Sequence, residues 1–134
     1  MSDHIRRHEG NDVHEEIESF RMPPHDVAER AATVLSLLAE PTRLRILWAL
    51  AQGETNVGCL AQLAGTTPTA VSQHLARLRL AGLVTARREG TFAYYTVADP
   101  SLARLLADAV EHAGRSEPGL ADALAAVAGS VEEA

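Results

Sequence analysis

Lysine is absent from the 134 residues, so all twelve basic side chains are arginine. There is one cysteine, Cys59, which excludes an internal disulfide framework and any CxxC metal knuckle. Aromatic residues make up only 4% of the chain, too few to stack a row of unpaired bases. No apolar run approaches the roughly 20 residues that a membrane-spanning helix needs. The opening "MSDHIRRHEGNDVHEE" is too polar and acidic for a signal or transit peptide. A cytoplasmic protein without membrane contact is expected. There is no glycine-rich phosphate loop, nucleophile elbow or HExxH, so no enzyme activity is expected.

The formal net charge is -6, but it is unevenly spread. Residues 1–40 hold nine acidic side chains and four arginines. Residues 41–98 hold two glutamates and six arginines, and residues 99–134 seven acidic side chains and two arginines. A basic middle lies between two acidic ends. Screening over about 8 Å at physiological salt lets that middle attract phosphates independently of the ends.

Hydrophobic periodicity organises the chain into three parts. Residues 1–25 lack it and read as a mobile, acidic, His-rich arm. Residues 26–115 form the folded domain, and residues 116–134 an Ala-rich tail with the potential for a frayed helix. In "DVAERAATVLSLLA", Val27, Ala31, Val34, Leu35 and Leu38 share one helical face. Pro41 suits the first turn of a second helix that Gly53 stops. Asn56 and Gly65 bound a short third helix, and Thr67 and Gly82 a fourth. "LVTARR" and "TFAYYTV" around "EG" then predict a β-hairpin. Asp99-Pro100 opens a last helix, with an apolar stripe of Leu102, Leu105, Leu106, Ala109 and Ala113. The expected fold is mainly α with a small β-hairpin, a winged helix-turn-helix.

The segment "TTPTAVSQHLARLRLAG" carries the chemistry. At about 100° per residue, Val71, Leu75 and Leu78 point inward, while Thr69, Ser72, Gln73 and Arg77 point outward. His74 sits at the boundary, and Leu80 points outward without a polar role. Serine, glutamine and arginine can bond base edges or phosphates. Arg87 and Arg88 are expected at the hairpin tip, against backbone or minor groove. A solvated polar helix face is the plainer alternative, but the arginine pair on the adjoining hairpin favours double-stranded DNA.

"EPTRLRILWALA", "AVSQHLARLRLAGLV" and "RREGTFAYYTV" together resemble the ArsR/SmtB family of bacterial metal-responsive repressors. The resemblance covers roughly residues 26–115 and is similar in wording to the family's actinobacterial nickel/cobalt sensors. It implies a homodimer, joined through the first and last helices, that binds a palindromic operator and leaves it when an effector binds. It also implies DNA contacts at Ser72, Gln73 and His74.

The family's metal positions are only half present. On the last helix the sequence has Asp99-x-Ser101 and His112-x-x-Arg115. Asp99 and His112 are about 20 Å apart along a helix, so they could share a metal only across a dimer axis. Otherwise His112 simply favours the helix C-terminus. At the third helix Asn56 replaces the family's first cysteine, leaving Cys59 as a lone ligand or a small buried hydrophobe. The arm adds His4, His8, His14 and His25 among carboxylates. A start at Ser2-Asp3-His4 could wrap Ni(II) or Cu(II) in a square plane. The expected ligands are Asp99, His112, His4 and His14, for nickel or cobalt first and zinc second. The alternative is a repressor of the same fold with a non-metal effector or none.

Overall fold

The computed structural model describes residues 16–114 together with residues 119, 122, 123, 125 and 127. It divides into two compact units, with the boundary after Thr33. In the first unit, residues 16–19 make a helical turn within the segment read as an arm. Helix α1, His25–Leu38, begins there too, stabilised by the i,i+4 pairs His25–Glu29 and Asp26–Arg30.

The second unit holds α2 (Pro41–Gln52), α3 (Val57–Ala64), α4 (Pro68–Leu80), β1 (Val84–Glu89), β2 (Phe92–Val97) and α5 (Pro100–Ala113). Each helix begins where a side chain can satisfy its orphan N–H groups. Glu40 accepts from the Arg43 N–H, Asn56 from Cys59, Thr67 from Ala70 and Asp99 from Ser101. Gly65 closes α3 in the left-handed region at φ 70°. Gly82, at φ 78°, lets the Leu83 N–H reach back to the Leu78 carbonyl and end α4.

Helix α2 is the hub. It packs against α3, α5 and β2, while α3 lies on α4 and α4 on β1. Ile46, Leu47 and Leu50 of α2 meet Leu60 of α3, Leu75 and Leu78 of α4, and Leu106 of α5 in one core. Val127, within the 116–134 segment, adds a fully buried side chain to that core.

Two apolar stripes differ from expectation. On α1 only Leu38 is buried, whereas Val27 and Leu35 are 40% and 53% exposed. On α5 the buried residues are Leu102, Ala103, Leu106 and Ala107. Leu105, Ala109 and Ala113, spaced by four, form a second and exposed row. Periodicity measured apolarity correctly but merged an inward and an outward face.

The hairpin is antiparallel, running from Val84↔Val97 to Glu89↔Phe92. Its two-residue turn is Gly90–Thr91, with Gly90 at φ 62°. The turn falls one residue later than "EG" suggested, because the left-handed first turn position requires the glycine. Neither Arg87 nor Arg88 is therefore at the tip. A third segment joins the sheet: Thr55 bridges Tyr95, with both N–H groups bonded at 3.2 and 2.8 Å.

Candidate nucleic-acid interface

Helix α4 is fixed by its inner row. Val71, Leu75 and Leu78 are all essentially inaccessible to solvent. That burial sets the rotation of the helix and leaves Thr69, Ser72, Gln73 and Arg77 exposed on the opposite side, as expected. Arg79 is exposed as well and was missed from the sequence, since it lies at the strip's edge. Leu80, within the strip, is 92% exposed.

His74 stands apart from the strip. It is half-buried, and its Nε2 lies 3.8 Å from the Glu40 carboxylate. Glu40 is also the cap of α2, accepting the Arg43 N–H at 2.7 Å. The backbone N–H groups of Arg43 and Thr42, with His74 nearby, hold the Glu40 carboxyl below its ordinary range. This pair ties α4 to the turn between α1 and α2. It was invisible in the sequence because the partners are far apart in the chain.

The wing arginines differ sharply from each other. Arg87 Nε donates to Glu54 Oε1 and Oε2 at 3.0 and 2.9 Å, and its Nη2 donates to Oε1 at 2.7 Å. Its Nη1 donates to Glu89 at 2.8 Å. Its guanidinium carbon lies 4.9 Å from the centroid of the Tyr94 ring, its cross-strand neighbour. The Arg87 hydrogen bond holds the Glu54 carboxyl low, and the two carboxylates push the Arg87 pKa upward. Arg87, expected against DNA backbone or minor groove, is held here by two carboxylates and a ring. Arg88, on the opposite face of β1, is exposed.

Among the described residues, the metal candidates Asp99 and His112 lie at opposite ends of α5. Asp99 caps α5, accepting the Ser101 N–H at 2.9 Å, and that bond keeps its carboxyl low. His112 is exposed in the last turn of the same helix. Among the described residues no three His, Cys, Asp or Glu side chains cluster as a metal site would require. His4 and His14 lie outside the described residues. Cys59 is exposed on α3, so its reading as a small buried hydrophobe is corrected.

Comparison with known proteins places this arrangement. Residues 40–86 match the family described as "Bacterial regulatory protein, arsR family". The chain is 40% identical over 97 residues to the HTH-type transcriptional regulator KmtR of Mycobacterium tuberculosis, covering 72% of this chain and 75% of that protein. It is 38% identical over 92 residues to the HTH-type transcriptional repressor SmtB of the same organism, covering 69% and 68%. A solved homodimeric winged helix-turn-helix DNA-binding domain from Mycobacterium bovis, a fragment of Mb0332, superposes with a TM-score of 0.59 at 41% identity. That match covers 69% of this chain and 89% of the other.

Proposed function

Because the chain belongs to the arsR family of bacterial regulatory proteins, we propose that it is a metal-responsive repressor, homodimeric on a palindromic operator and released by a transition metal. The family level is plain: this is a winged helix-turn-helix transcriptional regulator and not an enzyme. The metal, the dimer and the contact residues belong to the proposal.

One observation carries the DNA reading. The face of α4 opposite the buried Val71, Leu75 and Leu78 presents Thr69, Ser72, Gln73 and Arg77 together to solvent. In this reading Gln73 and Arg77 bond base edges, and Thr69 and Ser72 bond phosphates or bases. Arg88 and Arg79 contact backbone. His74 orients the helix through Glu40, and Arg87 orients the wing. Selection of duplexes from a random pool, followed by salt-dependent binding, tests it. Failure to enrich any sequence would defeat it.

Dimerisation is supported by the two exposed apolar rows, Leu35 with its neighbours on α1 and Leu105, Ala109 and Ala113 on α5. Asp99 and His112 could share a metal only across such a dimer. Asp99 and His112 stand at opposite ends of α5, and antiparallel packing would bring Asp99 beside the partner's His112. His4 or His14 would complete the set, for nickel or cobalt first and zinc second. Subunits carrying Asp99→Ala mixed with subunits carrying His112→Ala should retain one tight site per heterodimer. Titration finding none or two would reject the shared site.

A second reading, a non-metal effector, draws on a groove of about 410 Å³ lined by Leu44, Trp48, Ala49, Leu63 and Val110, with Arg45 and Gln52 also on its wall. Its size suits a small apolar molecule. Trp48 is the chain's sole tryptophan, so its fluorescence would report occupancy.

A further inference from the structure

Besides packing on α2, α4 and α5, the hairpin is bonded to one short loop. Between α2 and α3 run Gly53, Glu54, Thr55 and Asn56. Thr55 adds itself to β2 through its paired backbone bonds with Tyr95. Immediately before it, Glu54 takes three donor contacts from Arg87 of β1. Immediately after it, Asn56 caps α3, the first helix of the helix-turn-helix.

Each nitrogen of the planar guanidinium donates to a carboxylate. One edge grips Glu54 with two nitrogens, Nη1 holds Glu89, and Tyr94 lies beside it across the strand pair. A lysine has the charge but lacks that fork. Two carboxylates thus compete with any phosphate for this side chain.

We propose that Arg87 and Glu54 form a latch that sets the angle of the wing against the helix-turn-helix, so that Arg87 is a positioning residue and Glu54 a hidden contributor to DNA affinity. The inference rests on the DNA-binding reading above. It makes a prediction of opposite sign to simple electrostatics. Removing a carboxylate near a DNA-binding surface should strengthen binding by relieving repulsion. Removing a latch should weaken it, because the wing must then be ordered when DNA binds. The loop also joins the wing to the N-terminus of α3.

The test uses full-length protein and a duplex selected by the wild-type chain from a random pool. Glu54→Ala and Arg87→Lys are compared with wild type for affinity, and by hydrogen exchange at the Thr55 and Tyr95 amides without DNA. Expected are roughly 1.5- to 5-fold weaker binding in both variants, the range that exposed ion pairs command, and faster exchange at both amides. Unchanged or tighter binding by Glu54→Ala would overturn the latch, as would unchanged exchange. Should the wild-type chain bind no duplex at all, the functional reading falls instead, and exchange at the two amides still decides whether the latch holds the wing.

Discussion

At the scale of single residues, the charged side chains divide into those that hold the fold and those that face outward. Glu40, Glu54 and Asp99 are each held below their ordinary values by hydrogen bonds. The unfolded chain therefore takes up protons first as pH falls. The stability they confer is complete above the ordinary values of 4.5 for glutamate and 3.8 for aspartate, and is lost as pH drops through the lower folded values. Glu54 and Asp99 are exposed and Glu40 only half-buried, so each effect is small. Urea midpoints should decline on acidification below about pH 4.5, and less steeply in Glu40→Gln. Parallel declines in both proteins would deny Glu40 its linkage role. Gln73→Ala and Arg77→Ala should each weaken specific DNA binding by about 1–3 kcal/mol if their contacts are bidentate. Their thermal unfolding should stay near that of wild type, because neither side chain is buried. The outward set was readable from sequence because helical rotation is rigid once three inner positions are known. The ion pair of Arg87 was not readable in that way: its partner Glu54 is distant in sequence, and no local pattern announces it.

At the scale of elements, caps and glycines carried most of the fold's legibility. Asn56, Thr67 and Asp99 each accept the N–H expected of a cap, and Gly65 and Gly82 sit at positive φ where their helices end. These signals act within a few residues, so sequence records them. Burial does not act locally. The stripe on α5 contains two rows, and only the folded chain separates Leu106 in the core from Leu105 at the surface. The same logic predicts opposite phenotypes along α4. Leu78→Ala should cost about 2–5 kcal/mol of stability, by emptying a packed site. Leu80→Ala, at a 92% exposed position, should leave stability almost unchanged. Denaturant melts of the two variants provide the comparison, and equal losses would contradict the inward and outward assignment.

At the scale of the whole molecule, the row on α1 and the row on α5 are each exposed apolar positions. Leu35→Glu and Leu105→Glu should shift the species seen in sedimentation from dimer to monomer, since each places a charge in the proposed contact. A wild-type chain that sediments as a monomer at micromolar concentration would set aside the paired architecture. The intersubunit metal site would fall with it.

The bridge between Thr55 and Tyr95 also bears on the order in which the chain folds. Between its two partners lie all of α3, all of α4 and the whole of β1. Closing so long a segment costs chain entropy before it returns any contact. Docking α3 on α4 first shortens the effective path and makes closure easier. The bridge and its neighbouring ion pairs should therefore form after the folding transition state and open before the helical core does. Perturbing them with Glu54→Ala should speed unfolding and leave the refolding rate nearly as it was. The hairpin's seat is then the last part of the structure to be built, decided only after the helices beneath it are already in place.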